Sequence, residues 1–337
     1  MARQPLAVKY RPKNFDDMTE QSAIKDILTN QINTKTFQHG YLFTGPAGTG
    51  KTTSARIFAN MINHGEGNPI EVDAASNSGV DNIRNIIDDA KKKPLDCEYK
   101  IFIIDECHSL SNGAWQALLK TLEESPKFSI FILCTTDPQK IPNTILSRVQ
   151  RYQFNKISND GIVRRLQFIL EREKIVNYEN EALEYIAKIV NGGMRDSITL
   201  LDKCLSLSKE LTIKNVLDTV GGADYDILFD FVENLTNKDI RKSIEIVESI
   251  FNDGKDLKLF IKDFSKFILD LTKYCIFKSF KYISIPFTNE NQEKIEMIIS
   301  DDVYSILDLM LDITNTIKWN NEPKEIIEMM IINYCRG

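Results

Sequence analysis

Long apolar runs are missing from this 337-residue sequence. None approaches the roughly 20 residues that a membrane-crossing helix needs, so no membrane partner is expected. The opening stretch MARQPLAVKYRPKNF has neither the apolar core nor the small-residue cleavage site of a secretory signal. Cysteine is scarce: six residues, at 97, 107, 134, 204, 275 and 335, with no two in CxxC spacing. That pattern argues against a disulfide framework and against a Cys-rich zinc site, and it points to a reducing cytoplasm. Glycine at 15 and proline at 10 are too few for a fibrous or low-complexity chain. The net charge of −6 is modest and does not exclude a nucleic-acid partner, because local charge decides. Residues 1–154 hold 18 basic and 17 acidic side chains, whereas residues 155–337 hold 24 and 31. The first half is the better surface for a phosphate backbone.

What is present suffices for several packed cores. Hydrophobic residues make up 42% and charged residues 27%, ordinary soluble usage, and the length suggests two or three domains. Up to residue 154, short apolar runs alternate with helical patterns. Tyr41–Thr44, Ile70–Val72, Ile101–Ile104 and Ile130–Cys134 read as strands buried on both faces. Thr52–Ile62, Val80–Lys91 and Gly113–Glu124 read as helices between them. Such alternation means a parallel sheet with right-handed crossovers. After Phe154 the strand signal fades, and 159–173, 179–191, 195–209 and 213–220 read as helices. Breaks are expected at Gly192-Gly193 and Gly221-Gly222. The segment Asp256–Tyr282 carries a wide apolar stripe from Leu257 to Phe277 at 3–4 spacing. The stripe is expected to be a core face, with a subunit interface as the alternative.

Residues 45–52 read Gly-Pro-Ala-Gly-Thr-Gly-Lys-Thr, the GxxxxGK[ST] phosphate-loop pattern, between an apolar strand and a helical pattern. Gly45, Gly48 and Gly50 let the backbone curl so that successive N–H groups face a phosphate at the positive end of a helix dipole. Pro46, Ala47 and Thr49 complete the segment, and Thr53 follows it as a further candidate nucleotide contact. Lys51 supplies a charge for the β- and γ-phosphates, and Thr52 a hydroxyl for Mg²⁺. Asp105 and Glu106 follow the apolar run IFII; the first can hold Mg²⁺ and the second can polarise the attacking water. His108 completes a D-E-C-H string, spelled like a helicase DExH box, although a lone histidine is ordinarily a hydrogen-bonded structural residue.

Further strings carry a resemblance: Lys9-Tyr-Arg-Pro (9–12), His39-Gly-Tyr-Leu-Phe (39–43), Glu71-Val-Asp-Ala-Ala-Ser-Asn-Ser-Gly-Val-Asp (71–81), Leu118-Leu-Lys-Thr-Leu-Glu-Glu (118–124), Thr135-Thr-Asp-Pro-Gln-Lys (135–140), Ser147-Arg148 and Gly192-Gly-Met-Arg-Asp (192–196). In this order they resemble the gamma/tau subunits of the bacterial DNA polymerase III clamp loader, members of the AAA+ ATPases. The resemblance is dense from Leu6 to about Gly222. It implies that Ala7, Tyr10, Arg11 and Pro12 line an adenine pocket and that Thr136 is a sensor of the γ-phosphate. It also implies that Arg195 is a second sensor, reporting ATP to a lid, and that Arg148 is an arginine finger acting on a neighbouring subunit's ATP. Arg148 lies beyond the last strand expected from the sequence. DNA contact is implied through the backbone, with Ser76, Asn77 and Ser78 as capping residues before the helix at Val80, and with Arg84 and Lys91. For Arg84 and Lys91, a solvated helix face with intrahelical ion pairs is an equal alternative.

Two departures qualify the resemblance. The family usually carries a four-cysteine zinc module where this chain has only Asn63-His-Gly-Glu-Gly-Asn-Pro (63–69), so zinc is not expected. Val149 stands where the family has cysteine. A long tau-type tail is not expected either, so binding to polymerase or helicase through one is not implied. The fold expected is an α/β P-loop domain (1–154), a helical lid (155–220) and an all-α collar (221–337). The function expected is that of an ATP- and Mg²⁺-dependent subunit in a pentameric assembly that opens a sliding clamp and loads it on primer–template DNA in the bacterial cytoplasm. The alternatives are a related AAA+ ATPase acting on branched DNA and a DExH-type helicase, the latter requiring a second strand series that 155–337 lacks. A non-hydrolysing scaffold subunit is disfavoured by the intact phosphate loop and Asp-Glu pair.

Overall fold

A computed structural model describes residues 4–124, 126–208, 210–220, 225–279, 283, 295, 302–318, 320 and 322–336. The expected break at Gly221-Gly222 and the end of the Asp256–Tyr282 segment, at 280–282, lie outside them. The chain forms two compact units, Met1–Lys174 with Ile189–Asp202, and Ile175–Lys188 with Lys203–Gly337. The first unit therefore includes more than the expected α/β domain, because the 159–172 helix belongs to it.

The first unit is built on one parallel sheet of five strands: β1 (Gly40–Thr44), β2 (Ile70–Asp73), β3 (Lys100–Asp105), β4 (Ser129–Thr135) and β5 (Gln150–Gln153), in the order β2-β3-β4-β1-β5. The three central strands alternate their side chains between two cores. Tyr41, Phe43, Ile101, Ile103, Ile130 and Ile132 pack with Phe58 of the helix Lys51–Ile62 on one face. Leu42, Phe102, Ile104, Phe131 and Leu133 pack with Ile83 and Trp115 on the other. Burial on both faces is why these strands read as unbroken apolar runs.

Two of the sequence expectations need correction here. β2 is an edge strand with alternate residues exposed, not one buried on both faces. β5, the opposite edge, was not expected at all. Its sequence Gln-Arg-Tyr-Gln buries only Tyr152, so no apolar run announces it, and only its register against β1 (Tyr41↔Gln150 to Thr44↔Gln153) makes it a strand. Arg148 consequently precedes the last strand instead of following it.

The second unit is helical among its described residues. The helices Tyr225–Thr236, Ile240–Asn252, Leu257–Phe277, Asp302–Ile317 and Pro323–Arg336 share one core. Its centre is aromatic, with Phe231 and Phe264 rings 4.7 Å apart and Phe229 and Phe267 rings 5.0 Å apart. The stripe on Leu257–Phe277 buries Leu257, Phe260, Ile261, Phe264, Phe267, Ile268, Leu271 and Tyr274, as a core face requires. Phe277 departs from it and is half exposed. Asp256 and Asp239 cap their helices by accepting backbone N–H bonds from Lys258 and Lys242. No helix among the described residues is long and apolar enough to cross a membrane.

Candidate nucleotide-binding site

β1 ends at Thr44, and the chain turns at once into the glycine-rich loop. Gly45, Gly48 and Gly50 have φ of 145°, 72° and 101°, values that side chains rarely adopt. Space is also short: a Cβ on Gly45 would lie 2.4 Å from the Phe154 carbonyl oxygen, and one on Gly48 would lie 3.1 Å from the Gly193 Cα. The Met194 N–H donates to the Gly48 carbonyl at 3.0 Å. The start of the helix Met194–Leu207 is thereby tied to the loop, and Arg195 is its second residue.

The loop passes into the helix Lys51–Ile62, which puts Lys51 and Thr52 in its first turn. The buried Lys51 ammonium donates to the carbonyls of Gly45 and Pro46, at 2.8 Å each. Burial lowers its pKa, opposed by the nearby carboxylates of Glu106 and Asp105. The Thr52 hydroxyl donates to Asp105 Oδ2 at 2.7 Å. One hydroxyl and one carboxylate beside a phosphate loop are the oxygen donors that Mg²⁺ takes in nucleotide sites, so the residues present fit that ion.

Glu106 stands at the end of β3 in a left-handed conformation (φ 46°), and its N–H donates to Asp105 Oδ1 at 3.0 Å. Its Oε2 accepts the Thr136 hydroxyl at 2.9 Å. His108 Nδ1 is 3.3 Å from the same oxygen and 3.1 Å from Thr135 Oγ1. Thr136 thus reaches the site through Glu106. Beside these groups Cys107 and Cys134 are fully buried, and burial pushes both thiols far above their usual pKa, which leaves them unreactive.

These groups open on a cleft of about 300 Å³. The phosphate loop from Ala47 to Thr53 lines it, with Asp105 and Glu106 on one side and Ala7, Tyr10, Arg11 and Pro12 on another. Gly45 and Pro46 meet Lys51 through their carbonyls. Arg195 also lines the cleft, exposed and without a side-chain hydrogen bond or ion pair among the described residues. A cation in the first turn of a helix opposes the dipole, so its surroundings favour an anionic partner. Sequence reasoning missed Met18, Thr19, Arg56, Ile157, Arg165, Met194, Asp196 and Ile198 on the same wall. Arg165 donates to the Tyr10 carbonyl at 2.8 Å and lies over the Phe168 ring, pinning the N-terminal arm, and burial lowers its pKa. The local sequence around Arg165 carries no signal of this.

Arg148 does not line the cleft. Its guanidinium donates to the Thr144 carbonyl (2.7 Å) and the Ser147 hydroxyl (2.9 Å), and it pairs with Glu123. The candidate DNA residues also lie apart from the cleft. The helix Val80–Ala90 has Gly79 as its N-cap, with no side-chain cap, which corrects the capping role expected of Ser76, Asn77 and Ser78. The reason is Asp73: its carboxylate takes the Ser76 hydroxyl, and its carbonyl takes the Asn77 side-chain amide. Arg84 pairs with Asp81 at 3.2 Å and Lys91 with Asp88 at 2.7 Å.

A model described as the DNA polymerase III clamp loader subunit, ATPase lid domain, matches residues 161–210, and one described as DNA polymerase III, delta subunit, matches residues 69–158. The DNA polymerase III subunit gamma of Buchnera aphidicola subsp. Baizongia pistaciae is 32% identical over 325 residues, covering 89% of this chain and 88% of that protein. The chain belongs to the DNA polymerase III gamma/tau subunit family. The family also has longer members. The tau subunit of Bacillus subtilis is 36% identical over the whole of this chain, which spans 64% of it. The chain spans 49% of the gamma/tau subunit of Mycoplasma genitalium. Among solved structures, the Thermotoga maritima RuvB Holliday junction branch migration motor matches with a TM-score of 0.52 and 19% identity, covering 76% of this chain and 90% of that one. That likeness speaks for the fold alone, an AAA+ P-loop architecture followed by helices.

Proposed function

We propose that this gamma/tau family chain is the ATP-hydrolysing subunit of a sliding-clamp loader, in which ATP binding drives clamp opening and engagement of primer–template DNA, and hydrolysis releases the loaded clamp. The observation that carries the reading is the grouping of Lys51, Thr52–Asp105 and Glu106–Thr136 around one phosphate loop in a member of this family. Lys51 exchanges its two carbonyl partners for the β- and γ-phosphate oxygens. Thr52 and Asp105 would hold Mg²⁺, which would neutralise charge on the phosphates when bound. Glu106 polarises the attacking water, Thr136 reads the γ-phosphate through its bond to Glu106, and Arg195 closes on the phosphates from the lid. The three-part division at 154 and 220, the absence of zinc, a cytoplasmic setting and a pentameric assembly with other subunits belong to the same proposal. Backbone DNA contact by Ser76, Asn77, Ser78, Arg84 and Lys91 belongs to it too.

Arg148 acts in trans in this reading. Its exclusion from its own cleft supports that role, and the planar fork of an arginine suits transferred-phosphoryl charge. The decisive measurement is ATPase activity with sliding clamp and primed DNA, separately and together. Synergistic stimulation by clamp plus a primed junction is expected. Stimulation by a four-way junction without clamp would favour a branched-DNA motor instead, and stimulation by single strands alone a helicase. Mixing Arg148→Ala with Glu106→Gln chains in one assembly should recover part of the activity. No recovery, with both variants assembled and binding ATP, would remove the trans role.

A further inference from the structure

We propose that His108 is a positioning residue for Glu106: its Nδ1–H, together with the Thr136 hydroxyl, holds one carboxylate oxygen so that the other is presented to the attacking water. The inference rests on the reading of Glu106 as the group that polarises that water. Groups from two elements converge on Glu106 Oε2. Thr136, at the end of β4, donates its hydroxyl at 2.9 Å and its N–H at 3.4 Å, and His108, on the short turn Cys107–Ser109, brings Nδ1 to 3.3 Å as an ion-pair contact. Oε1 has no hydrogen-bond partner among the described residues, and Glu106 lines the cleft.

The Thr136 hydroxyl and N–H come from one residue and leave the carboxylate free to swing about them, because the terminal torsion of glutamate is broad. The His108 ring edge, set against the same oxygen from another element, removes that freedom. The tautomer follows from the geometry. A bare Nδ1 would bring its lone pair within 3.3 Å of a carboxylate oxygen, whereas a protonated Nδ1 donates to Thr135 Oγ1 at 3.1 Å and sets its positive edge beside that carboxylate. The ring itself is anchored, since Thr135 is fully buried, is paired in the sheet with Thr44, and accepts the Asp137 N–H at 3.0 Å. The D-E-C-H string thus puts the carboxylate and its orienting donor two residues apart on one tight turn.

The test uses the fact that an asparagine amide can stand in for Nδ1 and a glutamine amide for Nε2. ATP turnover by the full chain in its assembly, with clamp and primed DNA, is measured for His108→Asn, His108→Gln and His108→Ala, alongside affinity for a non-hydrolysable ATP analogue. A hydrogen bond to a charged group corresponds to about a tenfold loss, so His108→Ala and His108→Gln should lose about tenfold in kcat. KM and analogue affinity should stay within about twofold, and His108→Asn should keep most of the turnover. Equal kcat in the Asn and Gln variants, or an undiminished kcat in His108→Ala, overturns the proposal. A Glu106→Gln control separates the two readings. If that variant keeps its turnover, the assignment of Glu106 fails; if it is inactive while His108→Ala is not, only the role of His108 fails.

Discussion

The two units differ in where they hide polarity. Among the described residues of the first, eight polar or charged ones are buried, including Thr49, Lys51, Ser54 and Thr135 around the phosphate loop. Among those of the second, Ser243, Asp270 and Thr272 are, and Asp270 is paired with Lys273 at 3.3 Å. Most buried polar groups are partnered, and the Ser243 hydroxyl is an exception, buried without a hydrogen-bond partner among the described residues. A unit that gathers several of them at one strand end is organised for chemistry, whereas one that stacks phenylalanines is organised for packing. Damage to the first unit should therefore show in turnover at little cost to folding, and damage to the second should show in stability with little change at the cleft.

The largest separation should come from the phosphate loop. Lys51→Ala should abolish ATP-analogue binding, since no other cation of the loop can meet the β/γ-phosphates. Glu106→Gln should retain binding and lose at least about 10²-fold in turnover; both should unfold like wild type in denaturant. A Glu106→Gln chain that turns over normally would break the contrast. Next comes Phe264→Ala at the centre of the second core. Removing so large a buried ring should cost about 3–5 kcal/mol in the transition of that unit, while analogue affinity changes by less than about twofold. A large loss of affinity would show that the helical core supports the cleft. Smaller again is Asp239→Ala, where loss of the helix cap should cost about 1 kcal/mol by the same measurement. The smallest structural effect is expected from Arg84→Ala combined with Lys91→Ala. Exposed intrahelical pairs contribute little, so Tm should not move. If those residues meet DNA phosphates, the salt dependence of DNA binding should fall by about two in slope. An unchanged slope leaves them as a solvated helix face.

The same contrast explains what could be read from the sequence. β1, β3 and β4 were legible because each is buried on two faces, and the phosphate loop because its chemistry is local, carried by eight consecutive residues. The stripe on Leu257–Phe277 was legible as a periodic face. β5 was not, because an edge strand with one buried tyrosine has no hydrophobic signature. Met18, Arg56 and Arg165 were equally hidden. They come to the cleft from separate helices and turns, and no short window of sequence records that convergence. His108 was visible as a letter in D-E-C-H, but its work depends on Thr135 and Thr136, brought alongside by the β3–β4 pairing. Ser76 and Asn77 look like helix caps until the competing acceptor, Asp73, is seen.

The edge strand that escaped notice has a mechanical consequence. β5 is zipped to β1 over four residue pairs. β1 runs straight into the phosphate loop, and Arg148 sits two residues before β5 begins. The loop and the guanidinium are therefore mounted at opposite ends of the same stiff two-strand ruler. If Arg148 acts on a neighbouring chain's nucleotide, as proposed, that contact is measured from the same origin as the chain's own phosphate loop. In a row of such chains, each junction would inherit its alignment from the one before it.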